Sequence, residues 1–288
     1  MPRLLKIYAT MFLATACVAA CAAQDIRVPE SAIAGEQASI LITGSGRGTF
    51  YLLGPGVSRK NDVALGEEVH LDPQDLQNAG NYGAIVCSDT CHSASFYVSA
   101  AKPVGFTFLV HPSRVPVARD DAVSGVAFPF DRYHNLALTP ATVTFQLKSK
   151  DALLWSRAVG TQNGVAWFRT ASGKSAVPVE VTASLDDLSV RRAVQQVASE
   201  PCNLRITGER TRTGIIVQTE PVHDCAGNVV SDGTIVTFTA VGPQGTGTVD
   251  APVKQGIARA QIDAAGATLI SVASGVVMGN EIRVGAQP

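Results

Sequence analysis

One phrase occurs twice in this chain, and it limits the possible folds more than any other feature. Asp131-Arg132-Tyr133-His134-Asn135 and Asp224-Cys225-Ala226-Gly227-Asn228 share the spacing Asp-x-x-x-Asn. In each copy the Phe of an identical Val-Thr-Phe stands ten residues after the Asn, as Val143 to Phe145 and Val236 to Phe238. Further on, Asn163-Gly164-Val165-Ala166 corresponds to Gln255-Gly256-Ile257-Ala258, and Val181-Thr182-Ala183-Ser184 to Ser271-Val272-Ala273-Ser274. The order is kept over residues of about 103 to 199 and 200 to 285, so one module is used twice. Asp and Asn suit turns, because their side chains bond nearby backbone and tolerate left-handed conformations. Val-Thr-Phe places Val and Phe on one face of a strand.

The module is built of β-strands. Short runs of alternating apolar and polar residues recur, for example Ala38 to Thr43, Ala84 to Val86, Phe96 to Val98, Ala141 to Leu147, Val177 to Thr182 and Thr234 to Thr239, each closed by turn residues. Charged residues make up only 16%, a balance that favours strands and turns over amphipathic helices. Only Pro73 to Asn78 and Asp186 to Gln196 read as locally helical, and the second has enough Val and Leu to be a strand. With 288 residues the chain has room for two or three domains. Proline ends the ladder at Lys102-Pro103 and Glu200-Pro201, which divides the chain into 28–101, 102–199 and 200–288. Both linkers are short, and an elongated rod is expected.

Val222-His223-Asp224-Cys225-Ala226-Gly227-Asn228-Val229-Val230-Ser231-Asp232-Gly233-Thr234-Ile235-Val236-Thr237-Phe238 resembles the signature of bacterial group 1 Ig-like domains, the repeats of invasin and intimin type adhesins. The following Gly256-Ile257-Ala258 and the late Val-x-Ala strand fit the same pattern. The resemblance covers 202 to 284 well and 104 to 198 more loosely, since the earlier copy lacks the Gly before its Asn. It implies tandem immunoglobulin-like β-sandwiches. In the first segment, Gly80-Asn81-Tyr82 resembles the entry to strand F of Ig domains, where a tyrosine bonds upstream backbone. Ala84 stands where the usual inter-sheet cysteine would be.

Residues 1 to 20 read as a signal peptide, with Arg3 and Lys6 followed by an uncharged apolar run from Ile7 to Ala20. Val18-Ala19-Ala20-Cys21 resembles the lipobox of bacterial lipoproteins, with Leu13 to Cys17 a poorer match; ordinary cleavage near Ala20 is the alternative. Acylation of Cys21 would give stable anchoring through 21–27, because several acyl chains hold where one binds only marginally. Ala22 after Cys21, rather than Asp, points to the outer membrane. The resulting location is the cell envelope, facing the periplasm or the surface. Cys87, Cys91, Cys202 and Cys225 then lie in an oxidising compartment, where three pairings are open and proximity favours Cys87 with Cys91 and Cys202 with Cys225.

Few constellations suggest chemistry. Cys87-Ser88-Asp89-Thr90-Cys91-His92 has the order of a haem c attachment but one residue too many between the cysteines. The five histidines are scattered singly, and Asp120-Asp121 and Asp186-Asp187 are adjacent pairs that read as solvated loops. Aromatic residues gather in the middle segment, where Trp155, Trp167 and Tyr133 read as core and Phe128-Pro129-Phe130 as core or exposed anchor. With 23 basic and 24 acidic residues interspersed, no charged face advertises nucleic acid. The expected function is non-enzymatic and without cofactor: adhesion, or contact with an unknown protein or surface ligand. The alternatives are a spacer or subunit of an envelope complex, and a one-haem redox protein through Cys87, Cys91 and His92. Expected recognition residues lie on two Gly-rich loops of the last domain, which is expected at the free end of the rod: Gly242, Pro243, Gln244, Gly245 and Gly247, and Ser274, Gly275 and Met278. The turn from Asp224 to Asn228 is expected to face the joint with the preceding domain.

Overall fold

The computed structural model describes residues 25–150 and 152–285. The signal segment, Cys17 and the lipidation candidate Cys21 lie outside the described residues. The described residues contain strands and turns and no helix. Asp186 to Gln196 resolves as strand, Leu188–Val197, because its apolar residues alternate and bury Val194 beside Gln196. Pro73 to Asn78 is a turn.

The chain divides into two compact units, Met1–Ser99 and Ala100–Pro288. In the first, a five-stranded sheet runs in the order Ala32–Ile33, Cys91–Ser99, Gly80–Cys87, Arg47–Gly54, Val57–Ala64. Opposite it stand Ile26–Arg27, Ala38–Ile42 and Glu68–Leu71. The core between them holds Ile40, Ile42 and Leu71 against Phe50, Leu52, Ala84 and Val86. Tyr82 is 1% exposed, stacks on Phe96 at 5.5 Å and donates its hydroxyl to the Asn78 carbonyl at 2.8 Å. This is the upstream bond that its sequence context suggested. Burial pushes the phenol pKa up. Gly54 makes room for the ring, since a Cβ there would overlap it.

The second unit contains two sandwiches with separate cores. In the first, Arg114–Pro116, Leu188–Val197, Val179–Leu185, Thr142–Ser149 and Ala152–Gly160 form one sheet, and Ala166–Thr170, Val123–Phe130 and Gly105–His111 the other. Strand Thr142–Ser149 buries Val143, Phe145 and Leu147 on one face. Phe145 packs on Phe108 at 5.8 Å and on Phe168 at 4.8 Å. Burying each such ring stabilises by about 2–3 kcal/mol. In the second sandwich, Gly245–Pro252, Ile235–Gly242, Thr268–Ser274 and Val277–Val284 face Ile206–Thr211, Gly214–Thr219 and Arg259–Ile262. Val236 and Phe238 repeat the burial of Val143 and Phe145.

The two sandwiches repeat each other in detail, with one correction to the sequence alignment. Phe145 is opposite Ala183 and Phe238 opposite Val272, so Val181 and Ala183 match Ile270 and Val272. Matching Ala183 with Ala273 is one residue out; the slip would turn every inward side chain outward. The second shared turn is a tight hairpin in both copies, with Asn163 and Gly164 at φ 50° and 76° and Gln255 and Gly256 at 50° and 83°. A Cβ on Gly164 would lie 2.7 Å from Leu136, and one on Gly256 would lie 3.1 Å from Val229, so even the neighbour one residue past the Asn is conserved between copies.

Candidate functional site

The Asp-x-x-x-Asn phrase is the best defined polar arrangement in the chain. Asp131 and Asp224 are buried, 2% and 4% exposed. One carboxylate oxygen of Asp224 accepts the backbone N–H groups of Ala226 and Asn228, both at 2.9 Å. The other accepts the N–H of Ser199 at 2.9 Å and the Asn228 amide at 3.0 Å. Asp131 does the same with Tyr133, Asn135 and the linker N–H of Ala101 at 3.0 Å. Burial raises the pKa of each carboxyl, and the donors converging on it outweigh that effect and hold it below the usual range. Each Asp therefore ties the chain entering a sandwich to that sandwich's first long turn.

Asn228 reaches further. Its amide donates to the Lys174 carbonyl at 2.8 Å and its oxygen accepts the Ala176 N–H at 2.9 Å, both in the preceding sandwich. Ser199 donates its hydroxyl to the Val117 carbonyl at 2.5 Å. The Asp224 turn thus lies at the joint within the second unit. A cavity of about 420 Å³ there is lined by Ala118, Lys174, Pro201, Cys225 and Val277 among others.

The two Gly-rich loops do not come together. Ser274, Gly275 and Met278 belong to the hairpin of Thr268–Ser274 and Val277–Val284, and the Ser274 hydroxyl donates to the Ile235 carbonyl at 2.6 Å. Val277 lines the joint cavity, so this hairpin sits at the joint end. Gly242 to Gly247 lie at the other end of Ile235–Gly242, eight residues long and hence about 24 Å away at 3.4 Å per step. Sequence distance hides this, because successive hairpins alternate between the ends of a sandwich. Residues that sequence reasoning missed join Gly242 to Gly247 instead. Gln244 shares a groove of about 390 Å³ with Thr246, Thr248, Gln261 and Asp263, and a second of about 810 Å³ with Arg212, Thr213 and Gly266. Arg210 fixes this end by donating to the carbonyls of Ala264, at 2.5 Å, and Gly266. The groove therefore offers amide, hydroxyl, carboxylate and guanidinium groups on a clipped framework.

The remaining sequence candidates take their places singly. Cys87 is bonded to Cys91 and Cys202 to Cys225. Cys87 and Cys91 are directly opposed at the Gly80–Cys87 and Cys91–Ser99 hairpin, and with the sulfurs joined neither has a thiol for haem attachment. His92 contacts the Thr90 hydroxyl at 3.0 Å. Asp120, Asp121, Asp186 and Asp187 occupy exposed turns. Among the described residues, no three His, Cys, Asp or Glu side chains gather where a metal ion could sit. Trp155 packs on Phe168 at 5.1 Å, as expected of core. Trp167 does not: it is 64% exposed, on the outer face of its sheet beside Val126 and across from Leu109. Phe128 and Phe130 are half-buried on that same face.

Two solved structures share this architecture. FdeC, an Escherichia coli adhesin, is 12% identical over 90% of this chain and 94% of its own, with a TM-score of 0.62. InvD of Yersinia pseudotuberculosis is 8% identical over 91% of this chain and 96% of its own, with a TM-score of 0.50. No family model matches the sequence. No curated protein matches it either. At such identities the likeness is one of fold: tandem immunoglobulin-like sandwiches.

Proposed function

We propose that this is a non-enzymatic, lipid-anchored envelope protein presenting Ig-like domains 28–101, 102–199 and 200–288 for adhesion or protein contact. Its recognition surface is the groove around Gly242 to Gly247. The observation that carries this reading is the contrast between the two ends of the last sandwich. One end is occupied by the joint, through Asn228 and Ser199. The other gathers Gln244, Asp263 and Arg212 on open loops, and loops on a rigid scaffold are where sandwiches place binding residues. The E. coli adhesin sharing the fold supports adhesion as the role.

The test is a Gln244→Ala, Asp263→Ala chain compared with the unchanged one for adherence to host cells and matrix and for recovery of envelope proteins. A severalfold loss, with both disulfides and the β spectrum kept, is expected. Unchanged binding by this variant and by a chain lacking 200–288 would overturn it in favour of the spacer.

A further inference from the structure

The sheet of Ala166–Thr170, Val123–Phe130 and Gly105–His111 has a counterpart of the same register in the following sandwich, yet the outer faces of the two differ. By the shared hairpin turn, Trp167 corresponds to Arg259 and Arg169 to Gln261. In the following sandwich Arg259, Gln218 and Thr207 lie side by side across the three strands, an ordinary solvated row. The matching row here is Trp167, Val126 and Leu109. The next row is Gln261, Ile216 and Glu209 in the following sandwich, against Arg169, Ser124 and His111 here. The fold therefore does not require an apolar row, and the acid of one copy is missing from the other. Packing does not account for the difference either. Trp167 is 64% exposed and Leu109 54%. Among the described residues, no ring stacks on Trp167, the one cation over an aromatic ring is Lys60 over Tyr51, and Arg169 has no ion pair.

We propose that this face binds an oligosaccharide bearing carboxylates, of the uronic acid class. The axial C–H bonds of a pyranose carry partial positive charge and lie against the negative face of an aromatic ring, which an uncovered Trp on a flat sheet presents. Arg169 stands two residues along the same strand, about 7 Å away, within reach of a carboxylate at the edge of a stacked sugar. A guanidinium meets a planar carboxylate with two parallel hydrogen bonds. Ser124 and His111 carry further hydrogen-bonding groups along the same row, and exposed Thr107 borders the apolar row on its other side. Three strands make that row about 10 Å wide, the size of a disaccharide. A protein partner would need far more, about 800 Å² on each side. The site belongs to 102–199 and does not depend on the groove around Gly242 to Gly247.

The test titrates oligomers of galacturonate and of mannuronate, and their methyl esters, into the full-length protein. Of the two tryptophans Trp155 is packed on Phe168, so a blue shift of emission on binding reports Trp167. At least one acid oligomer should give that shift and bind about tenfold more tightly than its ester. By calorimetry, Arg169→Gln, which copies the following sandwich, should erase the preference for acid over ester. Trp167→Ala should weaken binding about tenfold or more, with both disulfides and the β spectrum kept. No shift with either acid oligomer, equal binding of acid and ester, or unchanged affinity of Trp167→Ala would each overturn the proposal.

Discussion

At the scale of single residues, two aspartates hold more structure than any other polar groups. Asp224 accepts from Ala226, Asn228 and Ser199, and its charge is what makes these bonds strong. Its folded pKa lies below the ordinary value of 3.8, as does that of Asp131. In acid the unfolded chain therefore takes up protons first. The stability contributed is complete above the ordinary value, and it declines as pH falls below about 4 through the lowered folded value. Asp224→Asn keeps the shape but gives up charge-assisted bonds, and should cost about 2 kcal/mol in urea unfolding at pH 7. The cost should shrink as pH is lowered towards 3. A difference that stays constant with pH would show that the carboxylate's charge is not what stabilises the turn.

At the scale of elements, the two disulfides close loops of different length. Cys202 and Cys225 are 23 residues apart in sequence, and Cys87 and Cys91 are four apart. On the chain-entropy view the longer loop is worth about 3.4 kcal/mol and the shorter about 2. Cys202→Ala with Cys225→Ala should lower the urea midpoint of the second unit more than Cys87→Ala with Cys91→Ala lowers that of the first, read by thiol accessibility of a reporter in each. Most strands, both turn phrases and Tyr82 were legible in the sequence, because period-two burial and Asp, Asn and Gly turns act locally. The strand Leu188–Val197 was ambiguous because its exposed positions carry Arg and Gln, residues equally at home on a helix. The register of Thr268–Ser274 is one residue off the match by letter, since Ala273 and Ala183 agree in type while burial follows Val272. Trp167 has the sequence context of a core residue, and nothing in its alternating neighbours Ala166 and Phe168 shows which face its sheet turns inward. The candidate site was half legible: glycine marked the loops, but which loops share an end depends on strand pairing.

At the scale of the whole molecule, the chain joins β-sandwiches to an anchor that is proposed at Cys21. Changing Cys21→Ser should move the protein from the membrane to the soluble fraction and remove lipid mass from the mature N-terminus. Retention in the membrane without lipid on the unchanged chain would exclude this anchor. The joint of the second unit works at the same scale. Separating its two sandwiches must break the bonds of Asn228 to Lys174 and Ala176 and of Ser199 to Val117 together. The side chain of Asn228 therefore serves two neighbours at once: its amide closes its own turn on Asp224 and grips the Lys174 carbonyl, while its oxygen holds the Ala176 N–H of the sandwich before it.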